Sequence, residues 1–474
     1  MKRCATFGLL VFVLAGASSV WADDAEEKAV EAVQKLRGKV TRDEKQDGKP
    51  VVAVKLDRRV TDADLKDLAA FKHLATLDVH SAKLTDAGMK DLAALSTLTS
   101  LNVSGLEITD AGVKELAKLV NLKTLNLDHT PITDAGMKEL AALTGLSELS
   151  LSYCTRVTGA GLKGLVTLKG LTSLNVSDTK VGDEGAKAIA ALKSLKTLDI
   201  NSARLTTAGA KELAALTNLV DLDLSRNLIW DDGVVALAKL TELTSLGLSE
   251  TGAADKGVKA LAKLTKLKEL YLRQTGVGDD GMSGLAGLIG LTELNLSGTV
   301  CGDAGVKQLT GLTNLSTLWL EHTRVTDIGA GELAKLTDLT LLTLRGTKLT
   351  DAGAKELAKL KKLTDLNLDL TAAGDEAVAG FAALKELKSL SLIQTKVTDA
   401  GAKSLAAVTS LTNLNVNLTP IGDAGVKEFA ALKKLEHLSV MDTKVTNAAA
   451  EELRRALPKC SISNGTTPKS RLDR

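Results

Sequence analysis

Leucines recur along this chain with a period of 24 residues. The pattern Leu-x-x-Leu-x-(Leu/Val/Ile) begins at Leu74, Leu77 and Val79 and is still in step at Leu435, Leu438 and Val440. Sixteen copies fit it, and the spacing departs from 24 once, by one residue, between the copies starting at Leu146 and Leu171. A period this strict specifies a solenoid, in which each unit is a small element that buries its apolar side only against its neighbours. In the unit from Leu122 to Gly145, Leu125 and Leu127 flank Asn126, so a short strand buries the leucines and turns Lys123, Thr124, Asn126 and Asp128 away from the core. Met137, Leu140 and Ala141 then follow helical i, i+3, i+4 spacing. Thr133 is placed to cap that helix, and Asp134 in its first turn complements the helix dipole.

One strand and one short helix cannot enclose a core, but parallel stacking joins the leucines of successive units into a column. Strands stack about 4.8 Å apart whereas helices need about 8 to 10 Å, so the array must curve with the sheet inside. The predicted fold is therefore an α/β solenoid, a curved horseshoe with a parallel sheet on the concave face and short helices on the convex face. The residue three past the last strand leucine is Thr in eleven of sixteen copies and Asn at Asn227, so a hydroxyl or amide there is expected to bond turn backbone.

These residues resemble leucine-rich repeat proteins, whose strand and turn signature is Leu-x-x-Leu-x-Leu-x-x-Asn. The Thr-Asp-Ala-Gly-x-x-x-Leu second half is similar to the ribonuclease-inhibitor-like, cysteine-containing and bacterial GALA-type subclasses. The resemblance covers residues 51 to about 462 and implies a binding role; Thr in place of Asn and the lack of cysteine-rich end caps favour a bacterial exported protein.

The chain ends divide into separate segments. Met1-Lys2-Arg3, an apolar stretch from Phe7 to Ala15 and Val20-Trp21-Ala22 read as a signal peptide, 1–22, cleaved near Ala22. Residues 23–50 read as an N-terminal helical cap, with Ala29, Val33 and Leu36 on one helix face from Ala25 and Gly38 ending it. The array of about 17 units of 24 residues spans 51–462, and 463–474 is expected to be a disordered tail. No later stretch reaches the roughly 18 apolar residues a membrane span needs. The expected location is secreted, periplasmic or in the cell envelope.

Charge and chemistry narrow the function. Without Lys2 and Arg3 the 60 basic residues fall to 58, equal to the 58 acids, which points to neither nucleic acid nor anionic membrane. Cys154, Cys301 and Cys460 fall at buried positions of distant repeats and read as core thiols. No Walker loop, His-Glu-x-x-His, Gly-x-Ser-x-Gly or Cys-x-x-Cys is present, so no catalytic residue, cofactor or enzymatic activity is indicated. His80 and His129 stand two repeats apart and do not make a metal site.

A binding surface is the better candidate. The five outward positions of each strand segment from Val51 to Val440 hold sixteen acids and nine Lys/Arg, a net −7 that would steer a cationic protein or peptide inward. Solubility alone would also place polar residues there. Aromatics are only 2% of the chain, yet Tyr271 and Trp319 share the central strand position two repeats apart. Arg273, Glu321 and Arg345 run on the adjoining row with His322 at its edge, a composition typical of interface hot spots. Tyr153, beside the one-residue insertion, is a second and isolated candidate, and Trp230 in an irregular turn is either a drifted loop residue or a local ligand contact. The leading reading is an exported, monomeric, non-catalytic scaffold binding a protein or peptide on its concave sheet. The alternative is a structural cell-envelope protein that binds surface polymer or packs laterally, its Lys-rich convex side on an anionic surface.

Overall fold

The alternation of Thr124, Leu125 and Asn126 yields a strand of three residues in which Leu125 is buried and its neighbours are half-exposed. Its partner Glu148–Ser150 lies parallel, with Leu125 opposite Leu149; Leu149 in turn faces Leu174, and the last strand pair sets Leu438 opposite Ile462. A slip of one residue would turn the leucines out to solvent, which is why the register does not drift. This computed structural model describes residues 14–56 and 58–465, which fall into two compact units, one up to Leu205 and one from Thr206. In the first, parallel strands run from Val51–Lys55 to Thr197–Asp199; in the second, from Asp221–Asp223 to Ser461–Ser463. Short helices such as Asp134–Leu140 and Asp327–Leu333 alternate with the strands, so each unit is an α/β solenoid of the predicted class.

Three devices hold successive repeats together. The first is the Asp of the Thr-Asp-Ala-Gly string, whose carboxylate reaches the next repeat. Asp303 accepts from the Thr326 N–H at 2.8 Å, the Thr326 hydroxyl at 2.6 Å and the Gly329 N–H at 2.9 Å. Asp86 binds Thr109 and Gly112 in the same way. The Gly of the string makes room for it, because a Cβ on Gly329 would stand 2.4 Å from Asp303 Oδ1. The expectation that these aspartates serve as helix starts is thus incomplete; Thr133 and its equivalents do cap their helices, accepting from the N–H two residues on, while the aspartate bonds the next repeat.

The second device is a left-handed turn. The seventh residue after the first leucine has positive φ in all sixteen copies, although only Gly105, Gly298 and Gly346 are glycine. This conformation aims its N–H at the neighbouring repeat, as in His129 to Ser152 O and Leu370 to Ile393 O, both 2.8 Å. The third is the buried Thr, whose hydroxyl donates to the carbonyl three residues back, as from Thr130 to Leu127 O at 2.6 Å. Asn227 does the same through its side-chain amide at 2.9 Å.

At the N-terminal end the structure differs from the expected helical cap. Helix α1 (Leu14–Lys35) begins before Ala25, there being no glycine or proline from Ala17 to Ala25 to stop it, and residues 1–13 of the expected signal peptide lie outside the described residues. Ala29, Val30 and Val33 are buried, while Leu36 is half-buried. Arg37, at φ 59, rather than Gly38, takes the left-handed position that ends the helix. Lys39–Arg42 then forms strand β1, antiparallel to β2 (Val51–Lys55), with Val40 opposite Val54. The cap therefore includes a strand, which covers the edge that β2 would otherwise expose. At the other end Leu457, Cys460 and Ile462 are buried as the pattern predicts, and 466–474 of the expected tail lie outside the described residues. Cys154, Cys301 and Cys460 are free and buried; burial raises the Cys154 thiol, and burial with Asp279, Asp255 and Asp303 pushes Cys301 up to about 12.

Candidate functional site

In the second unit, strand pairing places Tyr271, Asn295, Trp319 and Thr343 side by side on the central row of the sheet. Each main-chain position is set by a buried leucine before it, so these side chains point to the open face. The rings of Tyr271 and Trp319 lean across Asn295 to a centroid distance of 6.4 Å at 41°. They thus form one tilted aromatic pair, although two strands separate them. The Tyr271 hydroxyl donates to Glu293 Oε2 at 3.0 Å. Burial, the Glu293 acceptor and the charges of Glu293 and Glu269 hold this phenol well above the usual tyrosine range.

Beside the pair the face is acidic. Asp221, Glu269 and Glu293 share one row, and Asp223 stands on the central row before Gly247 and Tyr271. Burial, followed by the charges of Glu269 and Asp223, raises the Asp221 carboxyl. Crowding of this kind marks excess negative charge. On the other side, Arg273 is exposed and Glu321 half-exposed, and neither has an ion-pair partner among the described residues. Arg345 is less free, with its guanidinium 3.5 Å from Asp369, a buried carboxylate that also accepts from Ser391 and from the Ile393 N–H. His322 packs over Gly346 of the next repeat, where a Cβ would meet its Nδ1 at 2.4 Å. The structure therefore gathers Tyr271 and Trp319 with two carboxylates, and ties Arg345 and His322 to their own neighbours. Thr343 Oγ1, one strand beyond Trp319, is buried without a hydrogen-bond partner.

Tyr153 belongs to the first unit and is not isolated. Its ring stacks on His129 of the preceding repeat, 4.3 Å between centroids and 10° from parallel. Both occupy the left-handed seventh position, at φ 59 and 56, and the 24-residue spacing between them was the available signal. Trp230 is exposed beside Leu228, its ring lying against Gly252. On the helix side, lysines pair with carboxylates of adjacent repeats, as in Lys256–Asp232 at 2.7 Å and Lys427–Glu452 at 3.2 Å. No group of three or more His, Cys, Asp or Glu among the described residues is placed to hold a metal, and no described helix is long and apolar enough to cross a membrane.

Comparison with known proteins agrees with this architecture. A leucine-rich repeat region model matches residues 133–284, and a leucine-rich repeat model matches 94–117, 118–141 and 409–430. No curated protein matches the chain. Among solved structures, an internalin of Listeria monocytogenes is 25% identical over 73% of this chain and 95% of its own, with a TM-score of 0.58. A leucine-rich repeat protein of Leptospira interrogans is 24% identical over 81% and 96%, with a TM-score of 0.60. The chain in the mouse RP105/MD-1 complex shares the fold at 19% identity over 86% and 73%, with a TM-score of 0.58. In build the chain is a leucine-rich repeat solenoid, similar to bacterial proteins of that class. Proteins of this class are generally non-catalytic scaffolds for binding.

Proposed function

We propose that this chain is an exported scaffold that binds a protein or peptide bearing cationic side chains on the strand face of its second unit. The aromatic pair Tyr271–Trp319 beside Glu269 and Glu293 is the observation that carries this reading. Two half-buried rings side by side offer large, rigid contact area, and desolvated Trp and Tyr anchors dominate binding energy where they are buried by a partner. The adjacent carboxylates select a lysine or arginine, whose stem lies along the rings while its charged head meets Glu269. Export rests on the basic, apolar and small-residue segments of residues 1–22, and secretion or retention in the envelope both accord with it.

The test is an affinity pull-down from native secreted and envelope fractions, comparing the protein without residues 1–22 with its Tyr271→Ala/Trp319→Ala variant, fold verified by circular dichroism. A partner retained by the parent and lost by the variant is the expected outcome. Identical recoveries would overturn the strand-face site and move the function to the helix side or to a structural role in the envelope.

A further inference from the structure

Outside the acidic face, the first unit carries a cleft of opposite sign. A cavity of about 430 Å³ is lined by Arg37, Lys39, Lys55, Arg58, His80 and Ser81. These residues come from separate segments: the left-handed turn that ends α1, strand β1, strand β2, the loop after it, and the turn after β3 (Thr76–Asp78). The antiparallel pairing that sets Lys39 opposite Lys55 brings two of the cations together. Like charges directly opposite each other on a strand pair are destabilising.

One carboxylate touches the group among the described residues. Asp78 bonds Lys55 Nζ at 2.9 Å and His80 Nδ1 at 2.7 Å. Burial opposes ionisation of Asp78, but the hydrogen bonds from Lys55 and His80 outweigh it and hold the carboxyl below its ordinary value. Asp78 therefore neutralises one cation and orients His80, while Arg37, Lys39 and Arg58 have no ion-pair partner among the described residues. All three are exposed at the rim of the cleft.

We propose that this cleft binds a phosphate-bearing group. An oxyanion with several oxygens and more than one negative charge can satisfy guanidinium and ammonium donors converging from different directions, which a single carboxylate cannot. The cleft is large enough for a phosphate ester or a pyrophosphate rather than a lone small ion. The site is separate from the strand-face site of the second unit and opposite to it in preferred charge.

The test uses the full protein after removal of residues 1–22, titrated calorimetrically with inorganic pyrophosphate at low salt and, in a second arm, mixed with phosphatidylglycerol vesicles in a flotation assay. Arg37→Gln/Arg58→Gln is compared with the parent and with a control that removes two helix-face lysines, Lys114→Gln/Lys138→Gln. The expected result is a loss of at least about tenfold in affinity for the first variant and none for the control, the sort of change expected on removing two charge-assisted contacts. Binding in the pyrophosphate arm identifies a soluble phosphate compound as the source; binding only to vesicles identifies a lipid headgroup. Lys39→Gln provides an independent variant should the double substitution fail to fold. No binding by the parent in either arm, or equal weakening by the control, overturns the proposal.

Discussion

At the scale of single residues, the Thr-Asp-x-Gly string works as a contact between repeats, and its parts depend on each other. Asp303 accepts three hydrogen bonds from Thr326 and Gly329 of the following repeat. Replacing it by Ala leaves those donors unmatched and should lower stability by about 1–3 kcal/mol. Gly329→Ala should destabilise by itself, since its new Cβ would fall 2.4 Å from Asp303 Oδ1. In the Asp303→Ala background that obstacle is gone, so the same glycine substitution should cost less, with a coupling of about 0.5–1 kcal/mol. Urea midpoints of the two single variants and the double variant measure this directly, and strict additivity would sink the pairing. A second residue-scale prediction concerns the left-handed row. Leu370 sits at φ 57, where a branched apolar side chain is strained. Asn accepts that conformation more readily, so Leu370→Asn should raise the urea midpoint by an amount corresponding to about 0.5–1 kcal/mol, and a fall would show that packing of Leu370 outweighs its backbone strain.

At the scale of the repeat as an element, the copies that lack a part of the string identify where a part can be restored. Thr207 stands where most copies carry Asp, and its hydroxyl accepts only the Trp230 N–H, at 3.0 Å. Thr207→Asp supplies a carboxylate able to accept from both Trp230 and Gly233, and should stabilise by about 0.5–1 kcal/mol, read as a rise in urea midpoint. Gly159 is a different case, because a Cβ there would meet Gly185 N and Val181 O at 2.6 Å, so the same repair is closed to it. The strand, the helix and their order were legible from the 24-residue period, because leucine spacing of two and of three or four residues maps directly onto strand and helix faces. The aspartate contact was not, since its partner lies 23 residues further on and its role as a helix-start residue already accounted for its presence. The left-handed row was hidden because only three of its sixteen members are glycine. For the candidate site, the shared row of Tyr271 and Trp319 was readable, but their ring contact depends on both side chains leaning over Asn295. Strand β1 escaped notice because Lys-Val-Thr-Arg is too short to show a pattern, and the basic cleft went with it, since a charge counted over the whole face averages away a local cluster.

At the scale of the whole molecule, contacts between repeats make stability depend on pH. Burial works against the ionised form of Asp327, yet the hydroxyl and N–H of Thr350 and the N–H of Gly353 outweigh it, and its carboxyl lies below the ordinary value. The N–H and hydroxyl of Thr446 lower Asp423 likewise. A carboxyl whose pKa is lower folded than unfolded binds fewer protons in the native state, so its contribution is complete above the unfolded value of about 3.9 and is lost as pH falls through the lower folded value. Asp221 has the opposite sign: its raised carboxyl takes up a proton more readily in the folded chain, which relieves repulsion from Glu269 and Asp223 as the solution becomes acidic. Two carboxyls that bond the next repeat, Asp327 and Asp423, are lowered, whereas the crowding raises Asp221 alone, so loss of the contacts should win. Thermal melting followed by circular dichroism should therefore give a Tm that is nearly level from pH 8 to about pH 5 and falls steeply below about pH 4. Asp327→Asn should melt lower at neutral pH and lose less on acidification, because the variant has already given up the charge that acid removes. An Asp327→Asn curve parallel to that of the parent would mean that the inter-repeat carboxylates do not carry the acid response, and that it comes instead from the exposed helix-face pairs such as Lys355–Glu376.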